Sequence, residues 1–141
     1  MARLVNPGTP GKDRVLLEKG IVSAIRELSK QSDINETTRD LLAYIALSLK
    51  YIGATIEESV AAWEKRGYWV KADRYRMEWD WADRLGEKMK QAIFIEDWVE
   101  VARLTGQLTQ KFATVRIDQR NRIGTPWIGS YQKLISPSQS H

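Results

Sequence analysis

The chain has 141 residues, 43% of them hydrophobic and 28% charged, with a net charge of +4 and no cysteine. That length suits one domain with a core of its own, and the missing cysteines exclude disulfides and thiolate metal sites. The single histidine is His141, the last residue, which disfavours histidine-based acid–base catalysis and histidine-rich metal centres.

Residues 1–12 hold Pro7, Gly8, Pro10 and Gly11 and are expected to form a flexible lead-in. They lack the apolar core of a signal peptide. Between Lys12 and Gly124 there is no proline, and the stretch is rich in Ala, Leu, Glu, Lys and Arg. That composition predicts helices, and residues 13–117 are expected to form a bundle of four. Leu17, Ile21, Ala24, Ile25 and Leu28 recur at helical spacing and predict a first helix over 13–31. Ser32, Asp33 and Asn35 then supply turn and cap chemistry.

A second stripe, Leu42, Ile45, Leu49, Ile52, Ile56, Ser59 and Trp63, predicts a long helix over 36–66. Gly53 lies inside it, and Thr55 with Glu58 could form a capping box that restarts the helix there. The stripe keeps its phase across Gly53, so continuity is favoured. The run from Leu41 to Ile56 spans only 16 residues and contains Lys50, which suits a buried helix and not a membrane span. With the missing cysteines, it leads to the expectation of a cytoplasmic protein with no membrane partner.

Gly67 marks the next break. Tyr68, Ala72, Tyr75, Trp79, Ala82, Gly86, Met89 and Ile93 predict a third helix over 68–92. Trp98, Val101, Thr105, Leu108, Phe112 and Val115 predict a fourth over 96–116, with Glu96 or Asp97 in its first turn, where a carboxylate meets the positive end of the helix dipole. The turn between helices three and four holds neither Gly nor Pro. Short connections predict antiparallel neighbours, and steps of three and four predict near-parallel crossing, as in an all-α, up-down-up-down four-helix bundle with long second and third helices.

Five of the six tryptophans lie between Trp63 and Trp98. Trp63, Trp79 and Trp98 belong to the stripes. At about 100° per residue, Trp81 points about 160° away from Trp79. It joins a second apolar patch with Val70, Met77 and Leu85, and Trp69 is a further ring outside the stripes. One stripe per helix is the usual demand of a bundle, so the second patch needs a cover: another part of the chain, or a second subunit in a two-fold dimer. Tyr68 and Trp69 also sit among Lys65, Arg66, Lys71, Arg74 and Arg76, a pattern able to stack bases and meet phosphates, although solvated charge explains it as well.

Residues 101–141 carry six basic groups against Asp118 alone, and Arg116, Arg120 and Arg122 form a candidate anion-binding run within a basic C-terminal segment, 118–141. Trp127, Ile128, Tyr131, Leu134 and Ile135 share one helical face, which predicts a short amphipathic arm over 126–135 with Thr125 as N-cap and Pro126 in the first turn. Ten residues are marginal as an isolated helix. The arm should be ordered only when docked, on its own bundle or on a partner, which makes Trp127 and Tyr131 candidate contact residues.

There is no Walker loop, dinucleotide fingerprint, nucleophile elbow or Glu-x-x-His pair. Glu57, Glu58, Asp80 and Asp83 match the paired-carboxylate pattern of helical Mg²⁺ hydrolases poorly, since Ala61 stands where a third acid belongs. The sequence thus leads to a non-enzymatic helical interaction module without cofactor or metal, expected to self-associate as a dimer. The candidate contacts are Trp69, Val70, Met77, Trp81, Leu85, Trp127 and Tyr131. A heterologous protein partner, a nucleic acid and, least favoured, a Mg²⁺-dependent hydrolase stand as alternatives.

Overall fold

A computed structural model describes residues 10–113 and 125–136, with the side chains described from Arg14 onward. The described residues form an all-α bundle of five helices: α1 (Pro10–Leu28), α2 (Glu36–Lys65), α3 (Trp69–Phe94), α4 (Trp98–Lys111) and α5 (Ser130–Ile135). Among the described residues there is no strand.

α2 is the central element, packed against α1, α3 and α5. Its first half is buried almost all round, from Thr38 to Ser48, with only Arg39 and Leu47 partly exposed. A helix apolar on every face is stable only inside a protein, and DLLAYIALSL meets that condition where a single stripe accounts for only part of it. Asn35 caps the helix by accepting a hydrogen bond from the Thr38 N–H at 2.8 Å.

α2 runs unbroken through Gly53, as the continuous stripe predicts. The Thr55 hydroxyl donates to the Ile52 carbonyl at 2.7 Å and does not cap a new helix. The glycine serves packing. A Cβ at position 53 would lie 2.9 Å from Asp83 Cβ, and one at Gly86 would lie 2.9 Å from Leu49 Cβ and 3.1 Å from the Lys50 nitrogen. Gly53 and Gly86 let α2 and α3 approach until backbone meets side chain. The pairs Lys50–Glu87, Lys50–Asp83, Glu57–Arg76 and Trp63–Tyr75 run in opposite residue order, so the two helices are antiparallel.

The α3–α4 turn is closed by Glu96, which adopts the left-handed conformation (φ 58°), and by Asp97, whose side chain accepts from the Glu100 N–H. α4 is shorter than predicted. Phe112 and Ala113 form a turn, and the expected end at residue 116 lies outside the described residues. α4 packs on α3 and buries Val101, Leu108 and Phe112, with Leu104 also fully buried although it lies off the predicted stripe. With 14 residues against 26, α4 is about 21 Å long and α3 about 39 Å, so α4 flanks only the second half of α3.

Candidate interaction surfaces

The Trp81 patch is divided by the fold. Leu85 is buried and Trp81 partly buried. The Trp81 ring packs edge-on against Phe112, centroids 5.7 Å apart, with the Lys111 ammonium 5.1 Å from its centre. The cover is therefore the end of α4 within the same chain. The expected separation of Trp79 and Trp81 does not persist at the rings, which stack with centroids 5.7 Å apart and planes 23° apart. Backbone positions set where the Cβ atoms point; indole side chains are long enough to wrap round the helix and meet.

The N-terminal half of α3, beyond the reach of α4, keeps its outer side chains in solvent. Trp69 is 60% exposed, Val70 67% and Met77 77%. The fold thus separates Trp69, Val70 and Met77 from Trp81 and Leu85. Tyr68 is exposed as well, although it begins the α3 stripe, because it precedes the first helical residue at the bundle's end. Around these residues Lys65, Arg66 and Arg74 form no ion pair among the described residues, while Lys71 lies 4.5 Å over the Trp63 ring. Arg76 holds the nearby carboxylates, Glu57 and Glu64 at 3.4 Å and Asp73 at 3.5 Å.

The C-terminal arm docks on its own bundle. Trp127 is buried and meets Tyr44 edge-on with centroids 6.4 Å apart. The helix does not start at Pro126 with Thr125 as its cap. Residues 126–129 form a turn, Gly129 takes a positive φ of 85°, and α5 begins at Ser130. Its cap is Asp40 of α2, whose buried carboxylate accepts from the Gly129 N–H at 3.2 Å and the Tyr131 N–H at 3.0 Å. Two N–H groups that a six-residue helix would leave unpaired are thereby satisfied. The Arg39 guanidinium lies 5.9 Å from the Trp98 ring and 6.0 Å from the Tyr131 ring, joining α2, α4 and α5. Tyr131 is partly buried in that contact. Arg116, Arg120 and Arg122 lie outside the described residues.

Most carboxylates of the acidic helix faces are paired with cations. The Lys50 ammonium bridges Asp83 and Glu87 at 3.0 Å each, and Arg84 holds Asp80 at 3.1 Å. Hydrogen bonds that the Lys50 ammonium donates to Glu87 and Asp83 push its pKa up, and hydrogen bonds from Gln91 and Lys50 hold Glu87 below its ordinary value. Glu58 is exposed to solvent. Among the described residues no three acidic or histidine side chains converge in a way that could hold a metal ion, and no helix is long and apolar enough to cross a membrane.

A second apolar surface escaped the sequence reading. At the end where the α1–α2 and α3–α4 turns meet, Phe94 is 61% exposed, Ile95 70% and Val99 84%, with Ile34 nearby at 43%. A groove of about 340 Å³ lies between the α1–α2 turn and the first turns of α4, lined by Ile34, Leu42, Trp98 and Val101 among others. The legible signal was the run Ile93–Phe94–Ile95: three consecutive apolar residues at a helix end cannot all face one stripe. No protein-family model matches the chain, and no curated protein or solved structure shows significant similarity to it.

Proposed function

We propose that this chain is a non-enzymatic helical module that associates with copies of itself. The observation carrying this reading is the uncovered half of α3, where Trp69, Val70 and Met77 stay 60%, 67% and 77% exposed after every described element has packed. Large apolar side chains grouped on one surface favour an interface. Trp81, Leu85 and Trp127 already have partners within the chain, so the contact falls to the residues that lack them. The cation–carboxylate pairing along α2 and α3 supports a structural use of those acids over Mg²⁺ chemistry, and the missing cysteines are compatible with the cytoplasm.

Light scattering across a concentration series tests the proposal. The parent chain should gain mass with concentration, and a Trp69→Glu, Met77→Glu double variant should remain monomeric with its helix content intact. A parent that stays monomeric at high concentration sinks the reading. Nucleic acid is the second reading, supported by Lys65, Arg66 and Arg74 beside the exposed Trp69 ring. It requires binding to oligonucleotides that weakens steeply with salt.

A further inference from the structure

We propose that the copies stack head to tail, the α2–α3 end of one bundle against the opposite end of the next, so that assembly is linear and not a closed two-fold dimer. This rests on the self-association reading and specifies its geometry.

Because α1, α2 and α3 alternate in direction, the α2–α3 turn lies at one end of the bundle, and the α1–α2 and α3–α4 turns lie together at the other. The two ends carry opposite charge. Between residues 65 and 74 the ionised side chains are Lys65, Arg66, Lys71 and Arg74 against Asp73, which Arg76 approaches at 3.5 Å. In the turns 29–36 and 95–97 they are Asp33, Glu36, Glu96 and Asp97 against Lys30, which Glu27 holds at 2.9 Å. The α2–α3 end thus carries an excess of cations and the opposite end an excess of carboxylates.

Each end also presents apolar surface: Tyr68, Trp69 and Val70 at the basic end, and Ile34, Phe94, Ile95 and Val99 at the acidic end. Pairing two basic ends, or two acidic ends, across a two-fold axis would bring like charges together as the apolar residues are desolvated. Pairing unlike ends brings attraction to the same burial. The groove between Ile34, Leu42, Trp98 and Val101, about 340 Å³, is an apolar seat for the projecting Trp69 ring. An interface between two different surfaces leaves a free copy of each at the ends of the pair, so growth continues unless a ring closes.

Sedimentation velocity on the full chain and two variants tests this. Trp69→Glu with Val70→Glu disables the basic end, and Phe94→Glu with Ile95→Glu disables the acidic end. The parent should form a series of species that grow with concentration, with affinity falling about tenfold or more from 50 to 500 mM salt as charges are screened. Each variant alone should be a monomer, and their equimolar mixture should form a two-chain species and nothing larger, because each supplies the end the other has lost. A Lys65→Glu, Arg66→Glu variant, which leaves the apolar residues intact, should also fail alone and pair with the parent-like basic end of the acidic-end variant. A variant that still dimerises alone overturns head-to-tail stacking while leaving self-association standing. So does a mixture that stays monomeric while the parent assembles. A parent that is monomeric throughout overturns both.

Discussion

Asp40 has the most consequence for its size. Its carboxylate is held by α2 and closes the first turn of α5 across 91 residues of chain, through the Tyr131 N–H. Removing a buried acceptor leaves its donors unpaired, which costs about 1–3 kcal/mol. Asp40→Ala should lower stability in urea by that amount and loosen the Trp127 environment, read as a red shift in tryptophan emission. The Thr125–Pro126 signal led to an earlier helix start because capping rules read neighbours in sequence, and no local pattern reveals a cap supplied by another helix. The α3–α4 turn was obscure for a related reason: a glutamate, Glu96, adopts the conformation usually left to glycine or asparagine. Glu18 on α1 offers a test by pH. Burial raises its pKa above the ordinary 4.5, against the opposing pull of Arg14. The folded chain therefore binds this proton more tightly than the unfolded chain, and stability from this group falls as pH rises through and above 4.5. Glu18→Gln should become more stable relative to the parent between pH 4 and pH 7 in denaturation midpoints; an unchanged difference would count against that burial.

At the scale of elements, the α2–α3 seam is set by its small residues. Gly86→Ala would gain helix propensity, about 1 kcal/mol. The new methyl would meet the Ala46 oxygen at 3.2 Å and the Lys50 nitrogen at 3.1 Å, backbone atoms that cannot rotate away. Overpacking of this kind costs about 1–3 kcal/mol, so the net effect should be a lower thermal midpoint by calorimetry. α5 depends on docking entirely, since six residues cannot sustain a helix alone. Trp127→Ala should cost about 3 kcal/mol and release the arm, seen as faster amide exchange over residues 130–135. The predicted stripes located the cores of α1 to α4 well because burial repeats with the helical turn. The all-round burial of α2 was harder to read, since it depends on three neighbours packing around one helix.

For the whole molecule, the consequence of the short turns that join α1, α2, α3 and α4 is two unlike ends. Acidic and basic residues cancel to a net charge of +4, yet they are separated along the bundle axis. If the ends meet as proposed, raising ionic strength should dissolve the assemblies while moving the unfolding midpoint of the monomer only slightly, because the ion pairs that join α2 and α3 lie in solvent and contribute little. Ultracentrifugation and circular dichroism on the same samples would separate the two effects. The sequence alone showed an excess of aromatic surface over what one stripe per helix can bury, but not which rings would remain exposed.

Fold class, the boundaries of α1, α2 and α3 to within a few residues, and the continuity of α2 followed from the sequence, because hydrophobic period and local breakers act over one or two turns. Which tryptophans stay exposed was decided by tertiary structure. Trp81 and Trp127 find cover in Phe112 and Tyr44, distant in the chain. Trp69 stays uncovered at the end of α3, beyond the reach of the shorter α4. Local patterns state that a side chain is apolar; only the lengths and packing of the helices determine whether anything arrives to bury it.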